Sequence, residues 1–541
     1  ANRRHASAYA ALMLVSTLLF AAACGPQEPQ RYDLVLRNAL LVDGERRTST
    51  PGSLAIRAGR IAALGEVLHT PDTPVLEVGG RVVAPGFVDL HVHVDTEIVR
   101  QPLAGNFLQM GVTTIVTGNC GGSVRDVAAH LARLDKGGVG VNYATLVGHG
   151  TVRTAVLGTV ERAPDAGELV RMQDLVDAAM RAGAFGMSTG LIYVPGTYAQ
   201  TDELVALSRV VARHGGIYAS HMRYEGDRIR DAIDETLRIG REAGVPVHIS
   251  HLKCTGKPNH GRATEVLEVL RAARADQRVS ADQYAYDASS TGIDVLFPSA
   301  ELAVGREAFA ARLRDDPAYR RQIHGALLRK MDEIGFGDFR HARIAAAKGH
   351  ADLNGLLLPD AAERQKGQRS REAQAELAID LLVAAAPSRV TMVYHGMHDD
   401  DVATFLREDW IALASDAGLR SEGGDDKPHP RGSGNTARLL GHYVRERGVV
   451  DLPTAVHKLS SLPAQLFGLA DRGRLQVGAF ADLVVFDPAS IADLTTYERP
   501  TTPPRGIAWV LVNGVVAVAD GKVTGVRAGH VLRHGAADAG R

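Results

Sequence analysis

Eight short apolar runs recur through the middle of the chain, with amphipathic stretches between most of them. They are "RVVAPGFVDL", "VTTIVT", "NYATLVG", "AFGMST", "GGIYAS", "VPVHIS", "RVSADQY" and "WIALAS". Runs this short and rich in β-branched residues read as strands, whereas "DRIRDAIDETLRIGREAG" has apolar residues at helical spacing and a closing glycine. Strand and helix alternating eight times over about 360 residues predict an α/β fold, a (β/α)8 TIM-like barrel.

Both flanks differ from this middle. "YDLVLRNALLVDGE", "GSLAIRAGRIAALG" and "VLEVGGRVVAPG" are short alternating strands, and the pattern returns in "GRLQVGAFADLVVFDP" and "IAWVLVNGVVAVADGK". A small β-sandwich built from both chain ends is therefore expected, from residues 31–83 and 470–530, with the barrel over 84–469. The spacing before "WIALAS" is too long for one βα unit. Residues 300–380 are charged and helical in pattern and are set apart as an insertion, placed on the loop side where it would serve as a lid.

Residues 1–24 pair two arginines with an apolar run and small residues, the layout of a secretory signal too short to span a membrane comfortably. "AAAC" also fits a bacterial lipobox with Cys24 as the lipidated residue, while Ala21 and Ala23 suit ordinary cleavage too. The expectation is an exported protein, periplasmic or membrane-anchored, touching a membrane only through such a lipid. With 61 basic and 62 acidic residues, no overall field favours nucleic acid. Three cysteines, Cys24, Cys120 and Cys254, cannot form a disulfide framework.

Barrel active sites gather at the C-terminal strand ends. There the sequence places His91 and His93 ("DLHVHVD"), Cys120 ("VTGNCGG"), His221 ("YASHMR"), His251 ("ISHLK") and Asp416 ("LASDAG"). Cys120 is a packed small hydrophobe, a nucleophile or a metal ligand; six capable residues at one barrel end favour the ligand. Imidazole, thiolate and carboxylate together suit zinc. His149 and His395 also lie near apolar runs and read as structural, and Cys254 has no evident partner.

"APGFVDLHVHVD" resembles the first-strand signature of the amidohydrolase superfamily, metal-dependent hydrolases on this barrel. "GNCGGS", "GMSTGLIYVPGTYA", "SHMRYEGD", "ISHLKCTG", "SDAG" and "HPRGSGNTARLLG" resemble its D-aminoacylase branch, the N-acyl-D-amino-acid deacylases, from about residue 31 to 530. The resemblance implies a tightly held zinc on Cys120, His221 and His251, a second, weaker metal position at His91 and His93, and Asp416 as catalytic acid/base. It further implies substrate contacts from Lys253, Tyr193, Tyr284, Ser290 and Arg431. Two departures concern substrate choice: "DQYAYDASS" replaces the usual DxYPY, and the loop after Asp416 is long.

The implied substrate is a small molecule with a free carboxylate, held by Lys253 or Arg431. Zinc would acidify a water for attack on the amide, and Asp416 would take its proton and return it to the leaving amine. The products would be a carboxylic acid and a free D-amino acid. A dipeptidase for peptides ending in a D-residue shares these requirements. A cyclic-amide hydrolase would call for a carboxylated lysine at a strand end, and an inactive scaffold for lost ligands.

Overall fold

A computed structural model describes residues 28–420, 423–469 and 471–535. The expected signal and Cys24 lie outside the described residues. Among those, no helix is long and apolar enough to cross a membrane.

The eight barrel strands are β1 (Phe87–Asp89), β2 (Val112–Thr117), β3 (Asn142–Thr145, continued by Val147–Gly148), β4 (Gly186–Gly190), β5 (Ile217–His221), β6 (Val247–Ile249), β7 (Val279–Gln283) and β8 (Ile411–Leu413). Each pairs in parallel with the next in chain order. The ring closes just beyond the strands, where the Asp416 N–H donates to His91 O at 2.9 Å and the His93 N–H to Ala417 O at 2.8 Å. Closure thus brings the residues after β1 and β8 side by side.

Side-chain alternation explains the packing. Val88, Val116, Ala144, Ala219 and Ala412 cluster inside the barrel with Leu462 and Phe467, which plug its N-terminal end. Their neighbours Phe87, Ile115, Tyr143, Tyr218 and Ile411 join the larger core under the surrounding helices. The helix Ile229–Ala243 stops at Gly244, whose φ of 69° lies in the left-handed region open to glycine.

The run "RVVAPGFVDL" is not one strand. Pro85, with no N–H to give a ladder, ends a first piece (Val82–Pro85) that belongs to the other sheet, and β1 begins two residues later. That other sheet has nine strands drawn from both chain ends. One face, with Leu36, Leu54, Ile56, Val83, Leu483, Val485 and Leu511, folds over its own core as a β-sandwich. The alternate residues Val82, Ala84, Val484, Phe486, Val510 and Val512 pack into the barrel's outer core.

Between β7 and β8 lies a unit with its own hydrophobic core. The helices expected over 300–380 are present, from Arg306–Asp315 to Arg371–Ala385, but the unit is not all-helical. The strand Ala342–Ala346 lies within it, and it is entered and left through Ser289–Gly292 and Thr391–Tyr394, which pair antiparallel.

Sandwich and barrel are joined by a buried polar network. Asp482 accepts from Asn142 Nδ2 at 3.0 Å and from the Asn513 N–H at 2.8 Å, and pairs with Arg472. Arg472 also donates to Asn513 Oδ1 at 2.9 Å. Asp482→Ala would remove the buried carboxylate that joins Asn142, Arg472 and the Asn513 N–H. The expected cost is about 3–5 kcal/mol, read as a lower urea midpoint with unchanged slope; a shift near zero would show that the network does not join the two parts.

Candidate metal centre

The residues at the barrel's C-terminal mouth converge. Cys120 Sγ lies 3.3 Å from His91 Nε2 and 3.5 Å from His251 Nε2. Two donor groups share the sulfur: Cys120 with His221 and His251, and Cys120 with His91, His93 and Asp416, the donor atoms of each group within 4.8 Å of one another. His93 Nε2 approaches Asp416 Oδ1 to 2.9 Å, and Arg431 Nη1 lies 2.9 Å from Asp416 Oδ2.

The backbone is bent to aim these groups. Cys120, His251 and Asp416 have φ of 51°, 37° and 49°, in the left-handed region costly to residues with a Cβ. Hydrogen bonds hold each one. The His251 N–H donates to Asp282 Oδ1 at 2.7 Å, and the neighbouring Asn119 amide donates to Leu90 O and Val116 O. Gly190 ends β4 where a Cβ would fall 2.2 Å from Cys120 O, so only glycine lets the cysteine loop seat there.

Carboxylates stand behind the imidazoles. Asp282, on β7, lies 3.1 Å from His91 Nδ1 and 2.8 Å from His248 Nε2. Burial alone would raise Asp282, but the two imidazoles outweigh it and hold it well below the usual carboxylate range. An ionised Asp282 accepts the Nδ1–H of His91 and leaves that ring's Nε2 lone pair toward the sulfur. Behind His251 stand Glu225, with Oε1 3.1 Å from Nδ1, and Lys253, whose Nζ lies 2.5 Å from the same oxygen and donates to Nδ1 at 2.7 Å. Burial would raise Glu225, yet Lys253 foremost, then His221 and His251, hold it low.

Burial pushes His91 down to about 4 and His221 well below the ordinary imidazole value, so both present neutral lone pairs. Burial, then Asp416, pushes the Cys120 thiol up; a thiolate here calls for a cation. Both ring nitrogens of His221 are buried without a hydrogen-bond partner among the described residues. Unsatisfied imidazole beside a thiol and further imidazoles is the donor set of zinc. The residues fit the metal.

A cavity of about 940 Å³ opens over this centre, lined by His93, Cys120, His221, His251 and Asp416. Of the expected substrate contacts, Tyr193, Ser290 and Arg431 line it. Lys253 and Tyr284 do not. Lys253, 2% exposed, ends on Glu225 and His251 Nδ1, behind the imidazole. Tyr284 lies under Arg431, its ring centre 4.6 Å from the guanidinium carbon, while Tyr286 turns away to Asp493. Ser290 Oγ donates to Met392 O, so its hydroxyl hydrogen is already engaged.

The sequence reading passed over Glu225, Asp282, Arg389 and Arg420. Glu225 sits four residues past His221, in the loop after β5 and inside the quoted "SHMRYEGD", and Asp282 sits two before Tyr284, a spacing that puts both on one strand face.

Barrel, sulfur–imidazole cluster and poised carboxylate define a metal-dependent hydrolase. The chain belongs to the amidohydrolase family, whose model matches residues 75–518. It is 39% identical over 534 residues to the D-aminoacylase of Alcaligenes xylosoxydans xylosoxydans, spanning 94% of this chain and 99% of that protein. A D-aminoacylase crystal structure superposes with a TM-score of 0.79 at 35% identity, over 93% of this chain and all of that one. The N-acyl-D-glutamate deacylase of Bordetella bronchiseptica, solved with zinc and a phosphonate mimic of the tetrahedral intermediate, gives 0.77 at 33% identity over 93% of this chain and all of that one.

Cys120→Ser tests the sulfur's part, since a serine hydroxyl stays protonated at neutral pH where a thiol can ionise toward a metal. After dialysis against a weak chelator, wild-type protein is expected to keep about one zinc per chain, and the folded variant much less. Equal retention would remove Cys120 from the ligand set.

Proposed function

We propose that this protein hydrolyses the amide bond of N-acyl-D-amino acids, releasing a carboxylic acid and a free D-amino acid. The observation that carries the reading is the shared cysteine: Cys120 joins two imidazole groups at the mouth of a barrel that matches D-aminoacylase over nearly its whole length.

Cys120, His221 and His251 would hold zinc tightly, and His91 and His93 would form a second, weaker position with Cys120. Zinc bound there supplies a Lewis acid for the amide carbonyl and acidifies a water. The chain's own residues do the rest. Asp282 fixes the His91 tautomer from behind, and Lys253, held by Glu225, donates to His251 Nδ1.

Asp416 carries the proton. Burial would raise its carboxyl, but Arg431 first, then His91 and His93, hold it well below the usual range, so it stands ionised at neutral pH. One oxygen faces His93 and the other Arg431, which places the carboxylate at the cavity floor beside the sulfur. From there it accepts a proton from the attacking water and delivers it to the leaving nitrogen. Arg431 suits a substrate α-carboxylate, a planar partner for its fork. Once shared with that carboxylate, Arg431 grips Asp416 less, and Asp416 becomes a stronger base when substrate is in place. Lys253 would serve the reaction from behind His251, through Glu225. That same engagement leaves it no part as the carboxylated bridge of a cyclic-amide hydrolase.

Asp416→Ala is expected to keep zinc and fold while kcat on N-acetyl-D-amino acids drops about 10²–10⁴-fold. Metal analysis, circular dichroism and steady-state kinetics check the three parts; wild-type turnover in the variant would place the proton on another group.

A further inference from the structure

The cavity wall has two chemistries. On the side of β3 and β4 it is partly apolar, with Ala155, Ile192, Val194 and Pro195. The insertion contributes Ser289, Ser290, Thr291, Gly292, Arg389 and Thr391, with no aliphatic side chain among them. A substrate bridging this cavity therefore meets carbon at one end and polar, cationic groups at the other.

The cation of that wall is Arg389. Its Nε donates to Asp294 Oδ2 at 3.2 Å, but Asp294 already takes Arg306 through both oxygens, at 2.8 and 3.0 Å. One carboxylate facing two guanidinium groups leaves the trio with a net positive charge. Neither terminal nitrogen of Arg389 has a protein acceptor among the described residues, and its side chain is 46% exposed on the cavity. Arg389 stands 5.6 Å from the ring centre of Tyr193, whose ring in turn meets His221 at 4.9 Å. Tyr193 thus links the Arg389 wall to the imidazole cluster across one shared cavity.

Charge along the cavity points the same way. Four arginines line it, Arg125, Arg389, Arg420 and Arg431, against the carboxylates Glu225 and Asp416. Glu225 is paired with Lys253 and Asp416 with Arg431, so neither cancels Arg389.

Orientation follows from Arg431. It lies beside the first insertion strand, with Nη2 donating to Ser290 O at 3.4 Å. If Arg431 holds the α-carboxylate, the other substituent of the same carbon faces the insertion, and the acyl group lies across the metal toward Ile192 and Ala155. Resting on the deacylase reading above, we infer that Arg389 is a specificity-determining residue that binds a second carboxylate, and that the preferred substrates are N-acyl-D-amino acids with an acidic side chain.

The test is the discrimination between N-acetyl-D-glutamate and its neutral isostere N-acetyl-D-glutamine, with N-acetyl-D-leucine and N-succinyl-D-leucine beside them, in zinc-loaded wild type and Arg389→Met. Wild type is expected to favour the glutamate over the glutamine derivative by about tenfold or more in kcat/KM, the worth of one charge-assisted contact. Arg389→Met is expected to collapse that ratio, mainly through KM, and Arg389→Lys to restore part of it. A merely structural arginine would lower both substrates and leave the ratio alone, which overturns the inference. So would a wild-type preference for the leucine derivative, or a ratio lost instead for N-succinyl-D-leucine, which would put the second carboxylate in the acyl group. Failure of the wild type on every D-substrate would sink the deacylase reading itself, a result distinct from any change in selectivity.

Discussion

A sulfur held against imidazole nitrogens is the contact around which this barrel is organised. Cys120 sits in a left-handed turn, as do His251 and Asp416, and these make three of the ten non-glycine residues with positive φ among those described. Strain of about 1–3 kcal/mol at each such residue persists only because the surroundings over-determine it. The Asn119 amide is pinned to the ends of β1 and β2, Gly190 makes room for the Cys120 carbonyl, and the closing hydrogen bond from Asp416 to His91 joins the last strand to the first. The fold concentrates its unfavourable backbone where donor atoms must meet, and the core of alternating small residues below keeps the strands from relaxing it.

The second layer is electrostatic. Burial keeps His91 and His221 neutral, and Asp282 behind His91 settles which of its nitrogens carries the proton. Asp282 takes the Nδ1 proton of His91 and turns its Nε2 lone pair to the sulfur, while Glu225 holds Lys253, whose Nζ donates to His251 Nδ1. Each carboxylate is itself kept ionised by what it serves: Asp282 by His91 and His248, Glu225 by Lys253. Lys253 is therefore tied to the centre through a carboxylate it neutralises. That arrangement explains a lysine at 2% exposure without a cavity-facing role.

Much of this was legible in the sequence because strand periodicity and strand-end chemistry coincide. A run such as "VPVHIS" fixes both the strand and the direction in which His251 emerges, so the six strand-end residues are legible together in the sequence. The split of "RVVAPGFVDL" between two sheets was not legible, because both pieces are equally apolar and only the pairing partners differ. Nor was the second layer. Glu225 and Asp282 look like ordinary loop and strand residues, and their role comes from which imidazole lies across the barrel, a relation that local pattern does not carry. Lys253 misled for the same reason: two residues from a ligand, its chain could reach substrate or Glu225 alike. In the insertion, helical charge patterning hid the strand Ala342–Ala346 and the two connecting strands, which are short and only partly apolar.

The insertion's separate core gives the molecule a division of labour. Its hydrophobic cluster shares no residue with the barrel's, and it meets the metal centre chiefly through Thr291, whose hydroxyl lies 3.0 Å from the Tyr193 hydroxyl, with Tyr193 in turn against His221. Substitutions on the wall that Arg389 occupies can therefore change what the cavity accepts while Cys120, Asp282 and Glu225 keep their geometry, since sites without shared partners act almost independently. Arg431 belongs to neither side alone. It touches Asp416 through one nitrogen and the insertion strand through another, so under the proposed function a substrate bound on the wall would reach Asp416 through a single guanidinium. Under that function, selection of the substrate and basicity of Asp416 would be coupled there, and a ligand that fills the wall without engaging Arg431 would bind without readying the carboxylate.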